Sequence, residues 1–384
     1  MRCVLLTLLS VGASLRVYSQ QSALADQIRA AQSSGKYAEA AKLYSQLIAA
    51  GTDTPEVRSN CGVMLHLAGK NREAMDQFRV ALRENADLAA ANLFAGLTEL
   101  DLDDPKLALS YLKRAQEMDP RQPAPLLGMG KAYVAQRNYR LANESYLKAA
   151  ALDTSLAEAW YGVGVTDRSL AEELLNRAAR SGDKKGSSKK EVQGLLDGAL
   201  KALSRAIELD PNSGRTHLIM AESLSDAGKL AEAAPEYESA IKLDPQLEAA
   251  YLGLASQHWK QREFDQALPL LKHVLLKSPK DPEANGMMAD ILQHNGDDAG
   301  AKRYAEVALA GNPDLIETRV VLARVYVARR EPKQAIAELQ KVISADPDGS
   351  YHFLLYRAYR QAGDEQGAKT AMAEFQQLRS GNKQ

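Results

Sequence analysis

Residues 214–247 read GRTHLIMAESLSDAGKLAEAAPEYESAIKLDPQL, and this stretch decides the fold. It holds two segments whose non-polar residues recur at helical spacing, with Gly228 between them and Pro245 after the second. Glycine readily adopts backbone conformations that most side chains resist, whereas proline lacks an N–H and fixes φ. The stretch therefore predicts a helical hairpin that turns at the glycine and stops at the proline.

The same pattern recurs along the chain at a constant interval. Prolines lie 34 residues apart at Pro211, Pro245, Pro279, Pro313 and Pro347. Glycines mark the hairpin turns at Gly35, Gly69, Gly228, Gly296 and Gly363. A fixed period of this length is typical of two-helix repeats that stack into one continuous array. The 384 residues therefore need not be divided into two or three globular domains.

Small residues recur at the positions where two helices must touch. In the first helix of each pair they are Gly62, Gly96, Gly130, Gly164, Ala221, Ala255, Ala289 and Ala323. In the second helix they are Ala40, Ala74, Ala108, Ala142, Ala199, Ala233, Ala267, Ala301, Ala335 and Ala368. Bulky residues follow most of the second-helix alanines by four positions, at Tyr44, Phe78, Leu112, Tyr146, Leu203, Tyr237 and Leu271. Because a bulky side chain fills the space beside a small one, these pairs predict closely packed helices.

One combination of these positions resembles the tetratricopeptide repeat family. Its members are Trp160, Val163, Gly164, Ala199, Leu203, Ala206 and Pro211. The resemblance covers about 90% of the chain and divides residues 20–379 into about ten repeats, followed by a tail at 380–384. It implies an all-α, right-handed superhelical solenoid. It also implies that the first helices line a concave inner surface and that the second helices lie outside.

The fifth repeat departs from the period. Between Trp160 and Pro211 there are roughly 23 more residues than one period requires, and a lysine-rich insertion lies at about 171–193. Non-polar spacing predicts that both helices of this repeat are lengthened, with SGDKKGSSKK at 181–190 between them. The lysines of this protruding hairpin are Lys184, Lys185, Lys189 and Lys190. They either form a solvated loop or dock an acidic partner.

The first 19 residues have the pattern of a secretory signal peptide. Arg2 precedes a non-polar run from Cys3 to about Leu15, and small or polar residues follow near Ser19. The run of about 13 residues is shorter than the roughly 20 needed to span a bilayer. We therefore expect cleavage near Ser19, export to the periplasm or cell envelope, and no membrane insertion of the cleaved protein. An uncleaved N-terminal membrane anchor is the alternative.

Charge and cysteine content narrow the classes of partner. The chain has 48 Lys and Arg against 49 Asp and Glu, so no overall field favours nucleic acid, and none is expected as a partner. Cys3 would leave with the signal peptide and strand Cys61, which excludes a disulfide framework. Cys61 lies on a non-polar helical face and is predicted to be a small buried side chain.

No pattern of catalytic or metal-ligating residues is present. The sequence lacks a phosphate-binding loop, a His-Glu-x-x-His helix, a nucleophile elbow and paired cysteines. Its six histidines are spread along the repeats, with none paired one helical turn apart. Acidic residues at helix junctions, such as Asp119 and Asp244, recur with the repeat and are predicted to be structural. We therefore expect a protein that is not an enzyme and has no cofactor.

Candidate partner-binding residues come from projecting the family arrangement onto the chain. They are Tyr161, Arg168, Trp259, Lys260, Arg324, Phe353, Arg357 and Arg360. Aromatic side chains offer large contact area at little entropic cost, and the arginines could face a carboxylate-rich partner. Tyr161 and Phe353 could instead pack within the array, whereas Trp259 falls outside the small-and-bulky register. Asp290 also projects to the inner face.

Two functions fit this arrangement. The favoured one is an exported scaffold that binds a peptide or protein partner, of identity unknown, on the concave surface. The alternative is a structural or assembly component of an envelope secretion or polysaccharide-export complex. A chaperone-tail adaptor is not expected, because the paired lysines and asparagines that such adaptors use are absent from the inner faces.

Overall fold

The computed structural model describes residues 22–181 and 187–381 and divides into two compact units between Asn212 and Ser213. The described residues form helices and no strand, so the all-α class is confirmed. In the first unit the helices are α1 (22–33), α2 (Tyr37–Ala49), α3 (Pro55–Leu67), α4 (Asn71–Glu84), α5 (Ala89–Asp101), α6 (Pro105–Met118), α7 (Pro123–Ala135), α8 (Tyr139–Leu152), α9 (Ala157–Ser181) and α10 (Ser187–Leu209).

The second unit continues the same pattern of paired helices. They are α11 (Gly214–Asp226), α12 (Leu230–Leu243), α13 (Glu248–Lys260), α14 (Phe264–Lys277), α15 (Pro282–His294), α16 (Asp298–Gly311), α17 (Ile316–Ala328), α18 (Pro332–Gln340), α19 (Ser350–Ala362) and α20 (Glu365–Gly381), with a 3₁₀ turn at Ile343–Ala345. Within each unit, odd-numbered helices pair with the even-numbered helix that follows. Consecutive odd-numbered helices also contact one another, from α3 to α9 and from α11 to α19.

Small residues on the first helices lie directly against large residues on the second helices, as the sequence predicts. A methyl group added at Gly62 would lie 2.6 Å from the Phe78 ring. The Tyr146 ring lies between Gly130 and Gly162, and a methyl group at either would come within 2.6 Å of it. Such a distance is well inside van der Waals contact, so these positions exclude any side chain. These hairpins of the first unit therefore close by packing a large side chain against a glycine, and buried alanines take the same position in the second unit.

Most junctions from a second helix to the next first helix are closed by an Asp or Asn. The side-chain Oδ1 accepts a hydrogen bond from the backbone N–H two residues later, for example 2.9 Å at Asp153 and 3.0 Å at Asp244. The same bond occurs at Asn85, Asp119, Asp210, Asn312 and Asp346. This turn is characteristic of Asx residues. The junction acids are therefore structural, as predicted.

A second set of hydrogen bonds joins several of these junctions to the first helix that follows. The fourth residue of several first helices bonds a group six residues earlier, within the preceding junction. Trp160 Nε1 donates to the Thr154 carbonyl at 3.1 Å, and Asn285 Nδ2 donates to the Pro279 carbonyl at 3.1 Å. Asn92 and Arg319 make the corresponding contact, and His352, the third residue of α19, bonds the Asp346 carboxylate six residues earlier. Different side chains thus perform one repeated task, which a match by residue identity does not reveal.

The insertion lengthens both helices of the fifth hairpin. α9 has 25 residues and α10 has 23, against 13 and 14 in the preceding hairpin α7 and α8. Ala171, Val192 and Leu196 are buried between them, whereas the Leu175 side chain is exposed. Lys189 and Lys190 are exposed. Lys184, Lys185 and the signal peptide prediction at 1–19 fall outside the described residues.

A polar cluster lies between α8 and α9 in the first unit. Asn143 Nδ2 donates to Thr166 Oγ1 and to Asp167 Oδ1, both at 2.8 Å. A methyl group at Gly198 on α10 would lie 2.9 Å from Asp167 Oδ2, so this carboxylate is enclosed from a third side. Burial raises the pKa of Asp167 to about 6, and the bond from Asn143 opposes that shift.

Two further features of the described helices bear on the expectations from sequence. Cys61 is buried, as predicted, and burial raises the pKa of its thiol. Across 22–181 and 187–381, no helix combines the length and the apolar character that crossing a membrane requires.

Replacing Gly164 tests the interlock between helices. Gly164→Leu forces a side chain against Leu203, and we expect a loss of about 1–3 kcal/mol in the free energy of unfolding from overpacking. Gly194→Leu is the matched control, because Gly194 lies on α10 with open space around it and a better helix former there costs nothing. Urea unfolding measures both. Equal stability of the two variants would show that the interlock is unimportant.

Asp167→Asn tests the polar cluster through its dependence on pH. The folded-state pKa of about 6 exceeds the unfolded value near 3.9, so the native carboxyl loses stability as pH rises between those values. Above pH 6.5 we expect the variant to gain about 1–2 kcal/mol in the free energy of unfolding, allowing for solvent screening, and to gain little at pH 4. Urea unfolding at both pH values checks this, with the exposed Asp197→Asn as control. A gain that is the same at both pH values would contradict it.

Candidate partner-binding site

The interlock determines which residues of the first helices face away from the second helices. Ser256, Asp290 and Arg324 each follow the alanine that packs against the second helix. One residue along a helix is a rotation of about 100°, so these side chains turn away from the hairpin interior. The three line one cleft in the second unit.

The cleft is formed by α13, α15 and α17, with Tyr351 of α19 at one side. Its volume is about 390 Å³, which lies within the range of pockets that hold small ligands or side chains. Met287, Val320 and Val321 give it a non-polar floor, and Trp259 adds an aromatic wall. Polar groups converge on this surface at one point.

That point is Asp290, whose residue is only 6% exposed. Its Oδ2 accepts a hydrogen bond of 2.9 Å from Trp259 Nε1. Arg324 Nη1 lies 3.4 Å from Oδ1, and Arg262 Nη1 lies 3.6 Å from Oδ2. A buried carboxylate is costly unless it is paired and hydrogen-bonded. The three neighbours offset that cost, and Asp290 in turn fixes the indole plane of Trp259.

Close approach of α15 and α17 brings the members of this network together. Gly286 lies against Thr318, and a methyl group at Gly286 would come 2.6 Å from Thr318 Oγ1. Asp290 stands one turn after Gly286, and Arg324 stands further along α17. The missing side chain at Gly286 therefore allows the carboxylate and the guanidinium to meet across the helix pair.

Arg262 reaches the cleft from an unusual backbone position. It stands one period from Gly228 and Gly296, in the hairpin turn, and has a φ of 62°. Most side chains disfavour this conformation. Its guanidinium also lies over the Phe264 ring, 5.4 Å from the centroid. The sequence prediction missed Arg262, although an arginine in place of the turn glycine is visible in the sequence. Arg137 and Arg330 also replace the turn glycine, so this feature alone does not identify a binding residue.

The structure brings three of the eight candidate residues together. Trp259, Lys260 and Arg324 line the same cleft, with the last two exposed. Tyr161 and Arg168 are half-buried on α9, in the other unit. Phe353, Arg357 and Arg360 lie on α19 outside the cleft.

Phe353 has the surroundings of a packing residue at the end of the second unit. Its ring is 5.2 Å from the Phe375 ring and 6.0 Å from the Tyr356 ring, measured between centroids. Even so, 41% of the residue is exposed. Arg360 lines a separate depression between α19 and α20 with Lys369 and Met372. Phe353 and Arg360 therefore lie outside the cleft at Trp259.

A metal site requires several ligating side chains close together. Within the described ranges, no three His, Cys, Asp or Glu residues are arranged to hold a metal ion.

Two family models with the description "Tetratricopeptide repeat" match the chain. One matches residues 224–291, 258–306 and 292–359, and the other matches 25–89 and 191–248. Together the matches cover more than half of the 384 residues. They include all of the cleft-forming helices α13, α15 and α17.

Individual relatives are distant. "TPR repeat-containing protein YpiA" of Bacillus subtilis (strain 168) is 22% identical over 292 residues, which are 72% of this chain and 69% of that protein. "Cellulose synthase 2 operon protein C" of Komagataeibacter xylinus is 25% identical over 92% of this chain, but the match spans only 29% of that protein. A solved tetratricopeptide repeat protein from Parabacteroides merdae is 16% identical, with 70% of this chain and 98% of that chain covered and a TM-score of 0.47.

A double-mutant cycle tests whether Trp259 and Asp290 form a unit. Trp259→Phe removes the indole donor and Asp290→Ala removes its acceptor, and we expect a coupling of about 1–2 kcal/mol in the free energy of unfolding because the bond is charge-assisted and buried. Thermal or urea unfolding of the four proteins measures this coupling. Additive effects would mean that the hydrogen bond does not fix the indole. The matched pair Trp160→Phe and Asp290→Ala should be additive, because Trp160 bonds Thr154 instead.

Proposed function

The chain belongs to the tetratricopeptide repeat family, and on that premise we propose that it is a non-enzymatic scaffold that binds a protein or peptide partner through the cleft at Trp259. The observation that carries the proposal is the network around Asp290. It holds an aromatic ring and two guanidinium groups at the mouth of a cleft with a non-polar floor. Preorganised aromatic and arginine side chains of this kind dominate the energetics of protein interfaces.

The open shape of the cleft favours a polypeptide over a metabolite as its occupant. The cleft is open and is shared among three helices. A small metabolite is usually enclosed, with most of its surface buried by the protein. An open cleft instead suits a polypeptide that continues beyond it at both ends. The remaining candidates on α19 would then extend the contact surface.

The place of action stays a proposal as well. Residues 1–19 have the charge, non-polar run and small residues of a signal peptide. We therefore propose that the partner is met in the periplasm or cell envelope. An N-terminal anchor, if the segment is not cleaved, would place the same cleft in the same compartment.

A second candidate function is an assembly component of an envelope secretion or polysaccharide-export complex. The similarity to "Cellulose synthase 2 operon protein C" favours it, because that match spans 92% of this chain. In this alternative, the partner of the scaffold is a permanent subunit of the complex rather than a peptide that binds and dissociates.

Site-specific photo-crosslinking in the native cells tests the proposal. A photoreactive residue replaces Lys260 at the cleft, and a control replaces Lys242, an exposed lysine on the second helix α12 of the same unit. We expect a protein adduct at position 260 that is lost with Trp259→Ala, and none at 242. Equal adducts at both positions, or an adduct indifferent to Trp259→Ala, would refute binding at the cleft. If the adducts repeatedly contain the subunits of one complex in fixed proportion, the assembly role is favoured.

A further inference from the structure

The cleft has opposite charges at its two ends. Glu283 and Glu317 stand one residue after the first residues of α15 and α17 and line one end. Asp290 and Arg324 stand seven residues later on the same helices, and Lys260 and Arg262 join them at the other end. Seven residues of helix correspond to about 10 Å along the axis. Consecutive first helices thus present an acidic end and a basic end about 10 Å apart, with the non-polar floor between.

Asp290 does not cancel the positive charge of the basic end. Two guanidinium groups flank one carboxylate there, so a formal charge of +1 remains, and Lys260 in the lining of the same cleft adds a further positive charge. The distances from Arg324 and Arg262 to Asp290, 3.4 Å and 3.6 Å, are long for charge-assisted hydrogen bonds. Their side chains are 43% and 65% exposed. Each guanidinium therefore keeps N–H donors for an anionic group that enters the cleft.

The acidic end is arranged in the complementary sense. Glu283 and Glu317 are both exposed, and neither has an ion-pair partner among the contacts of the described residues. Tyr351 borders this end, where burial and then the charge of Glu317 raise the pKa of its hydroxyl. The end therefore offers carboxylates and a neutral hydroxyl to a cationic group.

Building on the proposed function, we infer that the cleft selects an extended polypeptide segment in which an acidic and a basic side chain lie three residues apart, with a non-polar side chain between them. The spacing follows from geometry, because a segment extended in the polyproline II conformation advances about 3.1 Å per residue with three residues per turn. Side chains three residues apart therefore lie on one face, about 9 Å apart, and reach the two ends. The acidic side chain lies at Arg262 and Arg324, and the basic one lies at Glu283 and Glu317. The non-polar side chain rests on Met287 and Val321 beside Trp259.

The pattern of charge gives the site specificity beyond its non-polar floor. A partly exposed ion pair strengthens binding only modestly, so two correctly placed pairs should favour the matched segment about fivefold over an uncharged one. A segment with the same residues in the wrong spacing can satisfy only one end of the cleft at a time. Opposite charges at fixed separation therefore select spacing as well as composition.

Four blocked hexapeptides provide the test, of which the three charged ones have one composition. Acetyl-Gly-Glu-Leu-Ala-Lys-Gly-amide and its charge-reversed form Acetyl-Gly-Lys-Leu-Ala-Glu-Gly-amide carry the charges three residues apart. Acetyl-Gly-Glu-Lys-Leu-Ala-Gly-amide places them side by side, and a form with two glutamines is uncharged. Titration into the ¹⁵N-tryptophan-labelled protein follows the indole N–H resonance of Trp259, assigned by its loss in Trp259→Phe. We expect one of the two matched peptides to bind about fivefold tighter than the side-by-side and uncharged peptides.

Charge reversal at the acidic end provides an independent readout. In Glu283→Lys with Glu317→Lys, we expect a peptide with two glutamates three residues apart to become the preferred ligand. Glu232→Lys with Glu306→Lys changes the net charge equally at exposed second-helix positions and should leave the preference unaltered. If the control variant changes the peptide preference in the same way, the inference is overturned, because the preference then depends only on long-range charge.

The outcomes separate the inference from the function on which it rests. Equal binding of all four peptides at the Trp259 resonance overturns the charge pattern and leaves the cleft as the binding site. Binding of the peptides without a change at the Trp259 resonance, together with crosslinks that ignore Trp259→Ala, overturns the proposed function itself.

Discussion

Close contact between a small residue, glycine or alanine, and a large residue on the partner helix is the constraint on which the rest of the structure depends. Gly62 against Phe78 and Gly130 against Tyr146 leave no room for even a methyl group. This contact fixes how each first helix is rotated in its hairpin, because only one face can approach so closely. Junctions closed by Asx turns then repeat the rotation from one hairpin to the next. Local packing thereby sets the pattern of each unit.

The same rotation explains where the candidate site lies. A residue that follows the packed alanine must turn away from the hairpin, and Ser256, Asp290 and Arg324 do so in three consecutive repeats. Structural positions of the repeat carry the fold, so the adjacent positions are free to vary in charge and polarity. Asp290 makes use of this freedom to hold Trp259 in place. Packing and binding thus occupy neighbouring positions of one repeat without competing.

Much of this arrangement could be predicted from sequence because it repeats. The prolines, the small residues and the junction acids recur at one interval, and the structure confirms their roles at particular positions such as Asp153 and Asp244. The site is harder to predict because it occurs once. Trp259 and Arg324 were identifiable from their projected face, whereas the central role of Asp290 depends on a bond across two helices. Arg262 required knowledge of a left-handed turn that brings its side chain to the same carboxylate.

Hydrogen–deuterium exchange of the protein with and without its crosslinked partner tests most directly whether that partner occupies the first-helix cleft. We expect slower exchange in the exposed turns and ends of α13, α15 and α17, with the second helices α12, α14 and α16 unchanged. Protection confined to the second helices, or spread evenly over both sets, would contradict it.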